Sequence, residues 1–237
     1  MINTSTNTVT SIVSVGSDPW NVAITPNGAY AYVTNEVDDT VSVISTTTNT
    51  VTTTIPLPLD SDPEGVAITP NGGYAYVTNA GLDSVSVIST ATNEVTATVP
   101  LGGQPWSSPE SVAVTPNGDY AYVANWAVGS VSVINVDTNT VTATVPVESL
   151  PGSVAITPNS EYVYVTDYQS NAVSVISTAT NEVTETVNGF TRPIDVAISP
   201  NGEYAYVANQ DSNTLSVIST ALTTVLATPT RAQQLTL

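Results

Sequence analysis

The dipeptide Pro-Asn recurs at Pro26-Asn27, Pro70-Asn71, Pro116-Asn117, Pro158-Asn159 and Pro200-Asn201, at spacings of 44, 46, 42 and 42 residues. A repeat of this period constrains the architecture more tightly than any local propensity can. Each unit reads Val-Ala-Ile-Thr, then Pro-Asn-Gly, then Tyr-Ala-Tyr-Val-Thr-Asn. A polar loop follows, then Val-Ser-Val-Ile-Ser, Thr-Asn and Val-Thr-Ala-Thr-Val. These are four short β-branched segments separated by turn signals. In Thr25-Pro26-Asn27-Gly28 the Pro presets φ, the Asn tolerates a turn and the Gly ends it, which specifies a tight hairpin. Ser160 stands in place of that Gly in the fourth unit, so a strained or differently bulged turn is expected there.

Hydrophobic patterning ranks the four segments. Val22-Ala23-Ile24 is apolar on both faces and is expected innermost, whereas Val95-Thr96-Ala97-Thr98-Val99 alternates with period two and is expected outermost. Four graded antiparallel strands per unit describe a propeller blade. The expected fold is a single all-β, five-bladed β-propeller of four-stranded antiparallel blades with an extra N-terminal outer strand. Its boundaries fall at 1–17 for the orphan strand, at 18–61, 62–107, 108–149, 150–191 and 192–230 for the blades, and at 231–237 for a tail.

Tyr32-Val33-Thr34-Asn35 and Tyr76-Val77-Thr78-Asn79 carry the tetrapeptide that names a propeller family, and Tyr122 to Asn125, Tyr164 to Asp167 and Tyr206 to Asn209 are close variants. With the Pro-Asn-Gly and Ser-Val-Ile-Ser elements, nearly the whole chain resembles the YVTN-repeat β-propellers, which are similar to domains of archaeal and bacterial surface-layer proteins. The resemblance is specific for fold and implies little about activity. Propellers of this family often have seven blades, and five repeats depart from that pattern.

The first residues are in an unexpected register. Ile2 to Val9 aligns with Ile44 to Val51, so the chain begins near the end of a third strand and runs into a fourth. The last blade already has an outer strand, Thr224 to Thr228. The surplus strand can close the ring and displace the C-terminal one, add a fifth strand to a blade, or pair with a neighbouring molecule. A further reading takes the chain as a section of a longer array.

Composition removes several function classes. Two basic residues, Arg192 and Arg231, stand against twenty acidic ones, for a net charge of −18, and His and Cys are both absent. Nucleic acid is repelled. Zinc and haem sites, disulfides and His- or Cys-based catalysis are excluded. No apolar run approaches the roughly 18 residues that span a bilayer, so no membrane insertion is expected. A Lys-free chain rich in Thr, Ser, Val and Asn points outside the cell or to its surface.

Up-and-down connectivity puts the near-invariant Pro-Asn-Gly and Thr-Asn turns on one face and the variable loops on the other, where repeat proteins build binding sites. Trp20, Trp106, Trp126, Tyr168 and Phe190 map to the variable face or its edge. They form either a platform for sugar rings or partners or a cap over the core between blades. Glu64, Glu110 and Asp195 precede innermost strands, where blades converge on the channel. Carboxylates there can hold calcium or act as a glycosidase pair, against the plainer reading of a solvated acidic mouth with no cofactor. Asp38, Asp39, Asp83 and Asp211 are adequately explained by solubility. Ten Tyr form Tyr-x-Tyr pairs expected to pack between blades.

The expected function is a non-catalytic extracellular or cell-surface structural or interaction module, self-assembling into an oligomer or filament through an exchanged outer strand. The alternative is a propeller binding carbohydrate or a cell-surface protein through its aromatic, acidic face. A hydrolase or lyase is the third reading.

Overall fold

The computed structural model describes residues 1–102 and 107–221, together with the backbone of 224–227. Two short strands come first, β1 (Ile2–Asn3) and β2 (Thr8–Val9). The first four-stranded sheet is β3 (Pro19–Ile24), β4 (Tyr30–Asn35), β5 (Thr40–Ser45) and β6 (Thr50–Pro56). The second is β7 (Pro63–Ile68), β8 (Tyr74–Asn79), β9 (Ser84–Ser89) and β10 (Glu94–Pro100). The third is β11 (Pro109–Val114), β12 (Tyr120–Asn125), β13 (Ser130–Asn135) and β14 (Thr140–Pro146). The fourth is β15 (Pro151–Ile156), β16 (Tyr162–Asp167), β17 (Ala172–Ser177) and β18 (Glu182–Asn188). The fifth is β19 (Pro193–Ile198), β20 (Tyr204–Asn209), β21 (Thr214–Ser219) and β22 (Thr224–Ala227). Every sheet is antiparallel and ordered as in the sequence. The first strands pack on one another in chain order, β3 on β7, β7 on β11, β11 on β15 and β15 on β19.

The Pro-Asn-Gly hairpin closes as its residues dictate. Gly28 N–H donates to Thr25 C=O at 2.7 Å, and Asn27 Oδ1 accepts from Thr25 Oγ1 at 2.8 Å and from Ala29 N–H at 3.0 Å. Ser160 keeps the same turn, with φ at 63° in the left-handed region and its N–H donating to Thr157 C=O at 2.8 Å. A Cβ there costs about 1 kcal/mol, partly offset by the hydrogen bond that Ser160 Oγ accepts from Asn117 N–H at 3.1 Å. Ser160→Gly is therefore expected to raise stability by less than about 1 kcal/mol, read as a small increase in the urea midpoint.

Apolar residues of adjoining sheets form the core. Tyr32, Val41 and Val43 of the first sheet meet Val66, Val77 and Ile88 of the second, and equivalent clusters lie between each later pair. The second Tyr of the pair is buried in the first four blades, and in the first three its hydroxyl ties the blade to the next. Tyr32 Oη donates to Asn93 Oδ1 at 2.7 Å, Tyr76 to Asn139 at 2.6 Å and Tyr122 to Asn181 at 2.8 Å. The first member is not a packing residue throughout: Tyr30, Tyr74 and Tyr162 are about 40% exposed. The first strand is innermost in position but not the most buried. In the second sheet β8 and β9 are nearly sealed, whereas β7 keeps partly open residues, because its inner side lines the channel.

The N-terminal segment departs from expectation. β1 pairs with β2, Ile2 with Val9 and Asn3 with Thr8, and neither joins a four-stranded sheet. It is the tip of a hairpin registered like Ile44 with Val51 and Ser45 with Thr50, and it is not an outer strand on any blade. β22 holds the outer place on the fifth sheet. The expected closed ring of five is not observed, since no extended contact joins β19 to β3.

Candidate functional site

Each first strand opens with Pro and then a register shift against its neighbour, at Pro63/Val66 in β7 and Pro109/Ser111 in β11. Glu64 and Glu110 lie inside these irregularities. Bulges re-aim side chains next to functional sites, and here they place two carboxyls on neighbouring inner strands at the channel. Backbone contacts fix the spacing. Thr34 Oγ1 donates to Glu64 C=O at 2.6 Å and Thr78 Oγ1 to Glu110 C=O at 3.4 Å, while Thr78 Oγ1 accepts from Gly65 N–H at 2.7 Å. The Thr of the tetrapeptide thus links its own inner strand to the next. A Cβ on Gly65 would stand 2.7 Å from Glu110 C=O, so only Gly permits this approach.

Burial pushes the Glu64 carboxyl up to about 7, with Glu36 and Asp62 adding repulsion. It pushes Glu110 up to about 8, with Glu64 adding to it. Glu64 Oε2 is buried and has no hydrogen-bond partner. Between these two values one carboxyl is protonated and its neighbour ionised, the arrangement that acid–base chemistry requires.

The next equivalent position round the channel is Gly152, and a Cβ there would touch the Trp126 ring at 3.4 Å. The indole occupies the space a third glutamate would take. Trp126 and Tyr168 have ring centroids 5.3 Å apart, Arg192 lies over Tyr168 at 5.4 Å, and Tyr168 Oη donates to Gln210 Oε1 at 2.7 Å. Arg192 also pairs with Asp211 at 3.3 Å, both side chains about half exposed, a geometry that adds little stability. Arg192 is the sole Arg or Lys among the described residues.

The structure separates the other expected site residues. Phe190 is a buried core residue of the fourth inter-sheet cluster and does not lie open on the variable face. Trp20 lies on the open side of β3, 56% exposed, away from Trp126. Trp106 lies outside the described residues. Asp195 is exposed on β19, where its Oδ1 accepts from Ser153 Oγ at 2.7 Å and from Val196 N–H at 2.9 Å. It does not join Glu64 and Glu110. Among the described residues no three carboxylates gather as ligands for calcium or another metal ion.

Two of the loop acids, Asp39 and Asp83, clamp loops, which corrects their reading as solubility residues. Asp39 accepts from Asp60 N–H, Ser61 N–H, Ser61 Oγ and Asp62 N–H at 2.8 to 3.0 Å, clamping the loop that enters the second blade. Asp83 accepts from Ser107 Oγ at 2.8 Å and Ser108 N–H at 3.2 Å one blade later. Burial raises the Asp39 value, but the bonds from Asp62, Ser61 and Asp60 outweigh it and leave the carboxyl below its ordinary range. This contribution is present above that range and is lost on acidification through the folded value. Asp39→Ala is expected to cost about 2 kcal/mol at neutral pH, measured by urea unfolding, and the difference from wild type should shrink in acid.

A sequence-family model described as "Lactonase, 7-bladed beta-propeller" matches residues 3–152 and 65–235. No curated protein matches the chain in sequence. Hydrazine synthase from Kuenenia stuttgartiensis is 23% identical with a TM-score of 0.82, over 94% of this chain and 68% of that one. Virginiamycin B lyase from Staphylococcus aureus is 15% identical with a TM-score of 0.80, over 92% and 71%. A functionally unknown protein from Desulfotomaculum acetoxidans DSM 771 is 21% identical with a TM-score of 0.75, over 89% and 71%. These likenesses establish the propeller fold. The family match overturns the expectation of a non-catalytic module, because that family is named for an enzyme.

Proposed function

The chain belongs to the lactonase, seven-bladed β-propeller family, and on that premise we propose that it hydrolyses a neutral cyclic ester with Glu64 and Glu110 as its acid–base pair. The observation that carries this reading is the pair itself, two half-buried carboxyls on adjacent inner strands held near 7 and 8. Glu64, the more acidic and with a bare Oε2, takes a proton from water as the water oxygen bonds to the ester carbonyl carbon. Glu110 gives its proton to the ring oxygen as the acyl–oxygen bond breaks, and one water is consumed per hydroxy acid formed. Trp126, against Gly152 at the next position round the channel, and Tyr168 packed on it supply an apolar wall suited to a ring-shaped substrate. Glu36 and Asp62 beside Glu64 disfavour an anionic substrate and help expel the anionic product.

The Lys-free composition and the Tyr-Val-Thr-Asn repeat support a place for this enzyme outside the cell or at its surface. A panel of lactones of increasing ring size tests the activity. Turnover that disappears in Glu64→Gln and Glu110→Gln is the expected result, and turnover unchanged in both removes the pair from the chemistry.

A further inference from the structure

Every unit repeats the pair Tyr-x-Tyr, but packing between blades uses its second member. Tyr30, Tyr74 and Tyr162 stay 40 to 42% exposed, so the core does not account for an aromatic at the first place. Tyr30 lines a slot of about 250 Å³ on the Pro-Asn-Gly face, opposite the variable loops. Pro26, Asn27 and Tyr30 of the first blade stand there against Asn71, Gly72 and Thr90 of the second. The turns set its width: Gly72 has φ at 72°, and a Cβ on it would lie 3.4 Å from Pro26 Cδ. Equivalent positions, with Tyr162 on one side and Asn201 on the other, enclose a slot between the fourth and fifth blades.

The polar groups of the first slot are oriented by the turns themselves. Asn27 Oδ1 accepts from Thr25 Oγ1 and Ala29 N–H, and Asn71 Oδ1 accepts from Thr69 Oγ1 at 2.7 Å and Gly73 N–H at 2.9 Å. Each amide is thereby fixed with its Nδ2 as a donor, and no described residue accepts from either Nδ2. In the last three blades a carboxylate takes that donor: Asn117 gives it to Asp119 at 2.8 Å, Asn159 to Glu161 at 2.7 Å and Asn201 to Glu203 at 2.8 Å. Ala29 and Gly73 hold the place of those acids in the first two blades. Thr90 Oγ1 donates to Gly72 C=O at 2.5 Å and keeps a lone pair to accept. The first slot thus combines a tyrosine ring, two unpaired donors and an acceptor, and no charged side chain lines it.

We propose that this slot binds one ring of a neutral oligosaccharide, with the apolar face of the sugar against Tyr30 and its hydroxyls accepting from Asn27 Nδ2 and Asn71 Nδ2. A sugar ring has an apolar C–H face and a rim of hydroxyls, and an aromatic side chain beside fixed amide donors answers both. The net charge of −18 and the lack of any Arg or Lys at the slot disfavour an anionic ligand. The slot lies apart from Glu64 and Glu110, and its occupancy does not depend on their chemistry.

Maltohexaose, cellohexaose and chitohexaose, each titrated to about 10 mM into the full chain, test this by NMR at the Asn27 and Asn71 side-chain amides and the Tyr30 ring. At least one sugar is expected to shift all three sets of signals together, with a Kd on the order of 1 mM. Combining Ala29→Glu with Gly73→Glu copies the pairing of Asn159 with Glu161, occupies both donors and should weaken binding about 10-fold without disturbing the turns. Tyr30→Ala should weaken it by about 3- to 10-fold and Tyr30→Phe should retain it. Glu64→Gln should bind as wild type does. The proposal is overturned if no sugar moves these signals, or if the double glutamate variant and Tyr30→Ala bind as tightly as wild type. It is also overturned if decaproline moves them and no sugar does, which would make a proline-rich peptide the occupant.

Discussion

Asp167→Asn is expected to stabilise the protein by about 4 kcal/mol above neutral pH and to change it little near pH 4. Four blades end their second strand in Asn, whose Nδ2 donates to two hydroxyls, as Asn35 does to Thr40 and Ser42, both at 3.0 Å. The fourth blade has Asp167, with Ala172 where the first of those hydroxyls stood. The carboxyl is fully buried, accepts from Ser174 Oγ at 2.7 Å and from the Ser174 backbone, and leaves Oδ1 with no partner. Burial pushes it up to about 7; the Ser174 hydroxyl pulls the other way and Glu148 adds to the rise.

A carboxyl raised in the folded state gives its full stability below its unfolded value near 4 and loses it as pH climbs through 7. Wild type should therefore lose stability across that window and level off above it. Asp167→Asn should remove this part of the slope while Glu64 and Glu110, raised in the same direction, keep theirs. Adding Ala172→Ser restores the second acceptor and should gain more. Urea unfolding of the three proteins at pH 4, 6 and 8 measures this. A parallel pH dependence in wild type and Asp167→Asn would show that the carboxyl is not the cause.

Glu110→Gln is expected to lower kcat on a lactone by about 10²–10⁴-fold, and Glu64→Gln by a comparable factor. The pH profile distinguishes their roles. With a base held near 7 and an acid near 8, kcat/KM should form a narrow bell between those values, which belong to the pair and not to either residue alone. Glu110→Gln removes the acid and should flatten the alkaline limb of what remains. Glu64→Gln removes the base and with it the acid limb. A substitution that only disturbed packing would lower the whole profile and leave its shape intact.

The Pro-Asn period, the left-handed turn residue and the β-branched runs are local properties, and each produced the strand or hairpin its residues require. The packing of Tyr32, Tyr76, Tyr122 and Tyr164 between blades was legible from the repeated Tyr-x-Tyr pairs, but the exposure of Tyr30, Tyr74 and Tyr162 was not. Nor were the Asn partners of Tyr32, Tyr76 and Tyr122, some 60 residues away. Phe190 looked like a surface aromatic because it sits in a loop, and only the arrival of the fifth blade buried it. Asp39 looked like a solubility residue because its donors come from the next blade's loop.

The candidate pair was legible as two acids before an inner strand. Its chemistry was not, since the proximity and burial that raise both carboxyls arise from β7 and β11 meeting at Gly65. The sequence by itself determined the unit of the fold and the stacking of its copies, because β-branched periodicity and turn chemistry act within about 45 residues. Only the tertiary structure decided that the N-terminal segment pairs with itself and that Glu64 and Glu110 lie on adjoining inner strands. The glutamates meet because β7 and β11 of neighbouring sheets pack together, a contact that no single repeat contains.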